Sequence, residues 1–128
     1  MGIRIVRLGE PRAKGEGLRI GTVRRPPRGV PRSEFASRDF YDVWLPDLAP
    51  SEELVKSAQS AESDAQWNAF TRKYRAELAR PEKKHVIELL AALSKNTALA
   101  VGCYCADETR CHRSVLREVL TEAGALVD

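Results

Sequence analysis

Apolar residues along the chain recur with two periods, and the change between them marks out the elements. Ile3, Ile5 and Leu8 with Val6 alternate imperfectly with Arg4 and Arg7, which predicts a first strand over Gly2–Leu8 with one wet face. Gly9 to Gly17 holds Gly, Pro, Lys and Glu and reads as a turn or loop. Leu18 to Arg24 is a second strand by its Ile, Thr and Val content. It stops at Arg25-Pro-Pro-Arg-Gly-Val-Pro-Arg, where three prolines fix φ and Gly29 frees it. That stretch is a stiff loop presenting Arg24, Arg25, Arg28 and Arg32. A short aromatic segment, Asp39 to Leu45, follows it.

The second half reads with helical period. Ser51 before Glu52 and Glu53 predicts a helix start with a serine cap. Residue 54 is Leu, so the reciprocal capping box is missing. Trp67, Phe70, Tyr74 and Leu78 recur at spacings of three and four, predicting a helix over 64–79. Pro81 opens another, whose apolar positions are Val86, Leu89, Leu90 and Leu93. Thr97 to Cys105 is a continuous apolar run, as expected of a central strand covered on both faces. A last helix runs from about His112 to Ala123, with Val115, Leu116, Val119 and Leu120 as its stripe and Gly124 as terminator. Helix, central strand and helix in that order predict an α/β fold: a single compact domain over 1–128, with a central parallel or mixed sheet flanked by helices.

Composition adds limits. At 128 residues the chain has the size of one domain and needs neither metal nor disulfide to stay folded. The first residues are too charged for a secretory leader, and no apolar run is long enough to span a membrane. The three cysteines all lie between Cys103 and Cys111, which is no secreted disulfide framework and points to the cytoplasm. The net charge of +3 is uneven: residues 1–40 carry ten basic against four acidic side chains, and nearly all of the basic ones are Arg. Arg favours bidentate capture of phosphate or carboxylate. The bland reading is that these arginines decorate exposed loops. Nucleic-acid contact is an alternative, weakened by the modest overall charge and the lack of an interleaved stacking platform.

Five stretches carry a further signal. They are the strand entering Val23-Arg-Arg-Pro-Pro-Arg-Gly-Val, the segment Tyr41-Asp-Val-Trp-Leu-Pro-Asp-Leu-Ala-Pro-Ser, the helix face Trp67-Asn-Ala-Phe-Thr-Arg-Lys-Tyr-Arg-Ala-Glu-Leu, then Val101-Gly-Cys-Tyr-Cys, and Cys111-His-Arg-Ser. In order and spacing the chain resembles the prokaryotic family numbered 488 among domains of unknown function. The resemblance implies a small cytoplasmic α/β protein with no settled biochemical activity. Its recurring polar features correspond here to Arg25 through Gly29 and to Cys111, His112 and Arg113. Members often carry Glu two residues after the first cysteine of the late strand, and Cys105 stands there instead.

Three chemistries compete for the late cysteine segment. The first turn of a helix after a central strand favours an anion, so a phosphate-containing or other anionic small molecule is the leading ligand. In this reading Arg113 is a surface clamp, and Arg24, Arg25 and Arg28 close over the anion from the Arg-Pro loop. Cys105 borders the cleft, Trp44 is the exposed aromatic beside it, and Tyr74 reaches its rim by a polar tip although its ring faces the core. Alternatively Cys111 is a nucleophile, activated at a helix start beside His112. No forward Cys-x5-Arg phosphatase loop runs from Cys111, because Arg117 falls inside the predicted helix. Zinc is the third chemistry. Cys103 and Cys105 on one extended strand would hold their sulfurs roughly 6.6 Å apart, whereas tetrahedral zinc needs each at about 2.3 Å. The residues therefore argue for no metal and leave any cofactor and the oligomeric state unassigned. A non-enzymatic interaction domain is the main competitor to a small-molecule site.

Overall fold

The computed structural model describes residues 2–105, 107 and 110–128. The predicted loop before the last helix includes Ala106, Glu108 and Thr109, which lie outside the described residues. Four strands, β1 (Gly2–Arg7), β2 (Leu18–Gly21), β3 (Val43–Trp44) and β4 (Ala98–Cys103), form one sheet in the order β1-β4-β2-β3. Every pairing is parallel, which resolves the parallel-or-mixed alternative. Four helices flank it: α1 (Glu52–Gln59), α2 (Asp64–Leu78), α3 (Pro81–Ser94) and α4 (His112–Glu122). The Arg-Pro segment is irregular apart from a single 3-10 turn at Arg32–Glu34.

The register explains the apolar run of the late strand. Leu99 pairs with Ile3 and Leu18, and Val101 with Ile5 and Ile20. Paired positions in a parallel sheet share a face. On this face Ile3, Ile20, Leu99 and Val101 form one buried core with Leu54 of α1, Phe70, Tyr74 and Leu78 of α2, Ile87 and Leu90 of α3, and Val115, Leu116 and Leu120 of α4. Alternate positions build a different surface, with Ala100 between Arg4 and Arg19, and Gly102 between Val6 and Gly21. Small residues are required there because loops press onto the sheet. A Cβ on Gly21 would lie 2.3 Å from the Tyr41 ring, and one on Gly17 would lie 2.0 Å from the Ala98 carbonyl oxygen.

Gly17 also has φ +84°, a conformation that a side chain resists. Gly17→Ala is therefore expected to destabilise by about 3 kcal/mol, from overpacking and backbone strain together. Urea unfolding measures it, and a loss near zero would mean the loop lifts off the sheet without cost.

Helix ends follow their signals. Ser51 caps α1, its hydroxyl accepting the Leu54 amide at 3.4 Å. Ser63 and Gln66 form a full capping box on α2, a signal present in the sequence and passed over. Among the described residues no helix is long and apolar enough to cross a membrane.

Candidate active site

Because all four strands are parallel, their carboxyl ends share one edge, which is where open α/β sheets take ligands. Arg7, Gly21, Trp44 and Cys103 end the strands there. The apolar run does not stay extended to Cys105: β4 stops at Cys103 and the chain turns out of the sheet. Two arginines hold the turned backbone. Arg7 Nε donates to the Tyr104 carbonyl at 3.1 Å, and Arg113 donates to the Cys105 carbonyl at 2.6 Å. The Tyr104 hydroxyl donates to the Arg25 carbonyl at 2.9 Å, which fixes the turn against the Arg-Pro loop.

This turn sets Cys105 near the two buried thiols, Cys103 and Cys111. Cys103 and Cys111 are buried, each 2% exposed, while Cys105 is exposed. The neighbouring Cys103 and then Cys111 hold the Cys105 thiol well below its ordinary range against the cost of burial, and His112 and Arg113 add to this. Cys103 is pushed far up by its hydrogen bonds to Cys105 and Cys111 and by burial. For Cys111 the contact with Cys103 lowers the thiol, but the bond to Cys105 and burial outweigh it, and the net shift is upward.

His112, the first residue of α4, stands behind this group. Its Nε2 lies 2.7 Å from the Thr22 carbonyl oxygen. An oxygen that can only accept puts the ring proton on Nε2 and leaves the Nδ1 lone pair facing Cys111 Sγ at 3.9 Å. Burial takes the imidazole down to about 4, so the ring is neutral at pH 7. Tyr74 packs edge-on against it, with ring centroids 5.8 Å apart. Cys103, Cys111 and His112 place one ligand atom each within 4.8 Å of one another. Tetrahedral zinc would need sulfur–sulfur edges of about 3.8 Å.

The structure thus brings together Cys105, Cys111, His112, Arg113 and Tyr74 from the predicted set, with two corrections. Arg113 is no surface clamp, being only 4% exposed. Tyr74 does not present a polar tip at a rim: it is fully buried and its hydroxyl donates to the Leu48 carbonyl. The remaining residues turn elsewhere. Arg24 donates to the carbonyls of Pro46, Ala49 and Pro50, each at 3.1 Å. Arg25 pairs with Glu52, Arg28 is exposed in the loop, and the Trp44 indole donates to the Val23 carbonyl at 2.7 Å. The objection to close sulfurs also falls, since it assumed that Cys105 stayed in the strand.

Arg7, Thr22 and Tyr104 were missed. Arg7 and Thr22 become visible once the sheet is taken as parallel, because each closes or follows a strand at the ligand edge. Arg113 also lines a groove of about 310 Å³ with Arg4, Arg7 and Arg19, whose acidic members are Glu10 and Glu16. Glu16 is taken by Arg19, and Glu10 stands 3.9 Å from Arg7. Arg4 has no ion pair among the described residues, so the groove is net basic.

Residues 3–124 match the family model described as the active DUF488-N3 subclade. The chain belongs to that family. It is also 30% identical over 120 residues to the uncharacterized protein YeaO of Escherichia coli (strain K12), which covers 94% of this chain and 97% of that protein. No solved structure matches.

Proposed function

We propose that this DUF488-N3 member is a cysteine-dependent enzyme acting on a phosphate-containing or other anionic small molecule, with Cys105 as nucleophile. One observation carries the reading. The exposed Cys105 lies on a turn whose backbone is held by Arg7 and Arg113, and those two arginines line the basic groove. Arg4, Arg7 and Arg113 hold the substrate's negative charge. The Cys105 thiolate bonds to its electrophilic atom, and the leaving group departs with the electron pair of the broken bond. Neutral His112 turns its Nδ1 lone pair toward Cys111. The first turn of α4 stays in the reading as the positive end facing this turn. The anion is met from the β1 side, because Arg24 and Arg25 are committed to other partners. The description of the matched subclade as active agrees with a site that does chemistry.

Alkylation tests this without knowledge of the substrate. At about pH 6 one thiol is expected to react more than tenfold faster than an ordinary cysteine, whose unperturbed pKa is about 8.5. Peptide mapping should place the label on Cys105. Iodoacetate should outpace iodoacetamide relative to free cysteine, and that preference should fall in Arg4→Ala. Cys105→Ser should abolish the fast phase. A fast label on Cys103 or Cys111 would overturn the assignment.

A further inference from the structure

The Arg-Pro loop borders a second groove, on the side of the sheet edge formed by β3. It encloses about 500 Å³, and its walls include Pro26, Arg32, Phe35, Tyr41 and Trp44. That volume falls within the range of small-molecule sites. Trp44 is 43% exposed, yet its indole N–H is tied to the Val23 carbonyl. An exposed aromatic ring held by its own hydrogen bond has already lost its rotamer freedom, so stacking on it carries little further entropic cost. Phe35 packs edge-on against Tyr41 with centroids 5.2 Å apart, which fixes a second aromatic surface.

Two polar features give the groove its selectivity. Tyr41 is 4% exposed, and its hydroxyl has no hydrogen-bond partner among the described residues. Buried polar groups are nearly always satisfied, so such a hydroxyl points to a missing acceptor. The Arg32 guanidinium is close enough to act electrostatically on that hydroxyl, and Arg32 itself is exposed. Asp42 also lines the groove, but Arg12 holds both of its oxygens, at 2.7 and 2.9 Å, and the Arg19 amide adds a third bond at 2.8 Å. Its charge is therefore compensated and does not oppose an anion.

We infer that this groove binds a nucleoside phosphate, with the base stacked on Trp44, the phosphate on Arg32, and an acceptor atom of the ligand taking the Tyr41 hydroxyl. A planar ring meets the aromatic walls, a dianionic group meets the free guanidinium face, and a nucleotide carries both at the separation of one sugar. Tyr41 belongs to the same buried cluster as Cys103 and Cys111. The groove and the thiol site therefore share a wall, while the inference stands independently of Cys105 chemistry.

The probes are AMP, adenosine and a single-stranded oligoadenylate, followed by calorimetry and by tryptophan fluorescence in a Trp67→Phe background that leaves Trp44 as the reporter. AMP is expected to bind saturably with a Kd below about 1 mM and to quench Trp44. Arg32→Ala, at an exposed position where folding is not at stake, should weaken AMP about tenfold and leave adenosine unchanged. Tyr41→Phe should weaken both AMP and adenosine without lowering the melting temperature of the free protein. Oligoadenylate binding no tighter per base than AMP identifies a free nucleotide. Tighter, steeply salt-dependent binding identifies the same chemistry within a strand. Absence of saturable binding by all three probes overturns the inference, as does AMP affinity unchanged in Arg32→Ala.

Discussion

Arg19→Met is expected to cost this protein about 3–5 kcal/mol, because it removes one half of a buried ion pair. Arg19 is 1% exposed and Glu16 4% exposed. The guanidinium meets the Glu16 carboxylate through two bonds of 2.9 Å, and its remaining arm donates to the carbonyls of Glu10 at 2.8 Å and Asp39 at 2.6 Å. Asp39 sits at φ 63°, an uncommon conformation for a residue with a side chain. Its carbonyl accepts both Arg19 and the Gly9 amide, which holds it there. Removing Arg19 leaves a buried carboxylate without its partner, the Glu10 carbonyl without its donor, and the Asp39 carbonyl with the Gly9 amide alone.

Urea unfolding at neutral pH measures the loss, and the pH dependence identifies its source. Burial raises the Glu16 carboxyl, but the hydrogen bond and charge of Arg19 outweigh it and the net shift is downward. A depressed carboxylate contributes stability that is present above its unfolded pKa, near 4.3, and is lost as pH falls through the folded value. In Arg19→Met that contribution is gone and Glu16 is uncompensated, so the deficit against wild type should shrink on acidification. A deficit that stays constant with pH would attribute the loss to packing alone. Replacing both residues, with Arg19→Met and Glu16→Leu together, should recover part of the stability but not all, since the Glu10 carbonyl still loses its donor and the Asp39 carbonyl one of its two.

That ion pair shows where sequence reading stopped. Arg19 lies within a strand pattern, between Leu18 and Ile20, and alternation assigns it to a wet face. The face is instead roofed by the loop of residues 9–17, and nothing local in the sequence states that Glu16 will be under the same roof. The helices were legible because their signals are local: Phe70 and Tyr74 at helical spacing, Pro81 at a first turn, Gly124 past a last one. The central strand was legible because Leu99, Ala100 and Val101 need cover on both sides. The end of that strand was not. Cys103, Tyr104 and Cys105 are as apolar as the residues before them, and the turn is made by Arg7 and Arg113 taking the Tyr104 and Cys105 carbonyls from distant parts of the chain. With the strand extended to Cys105, that residue was read as bordering the cleft and Cys111 as the nucleophile. Arg24 and Arg25 were visible as arginines, but their engagement by the carbonyls of residues 46–50 and by Glu52 depends on tertiary placement.

The thiol cradle makes the second large prediction, an upward shift in the pH profile of Cys105 alkylation when a donor is removed. A hydrogen bond to a charged group contributes about 1.5–3 kcal/mol, and one pKa unit corresponds to about 1.4 kcal/mol. Cys103→Ala should therefore raise the apparent pKa of Cys105 by about one unit or more, and Cys111→Ala should act in the same direction. Since the thiolate is the reactive form, the rate at pH values below the variant's pKa falls about tenfold per unit, while at high pH the variants and wild type converge. His112 does not imitate this effect. It titrates near 4, and its Nε2 proton is committed to Thr22, so it stays neutral across the range in which the variants change. Cys103→Ser supplies the decisive comparison, because a hydroxyl still donates where a methyl group cannot. If donation sets the Cys105 pKa, Ser should restore most of the shift that Ala causes, even though both substitutions disturb the same packed position. Equal shifts in Cys103→Ala and Cys103→Ser would assign the effect to packing, and no shift in either would remove the cradle from the mechanism.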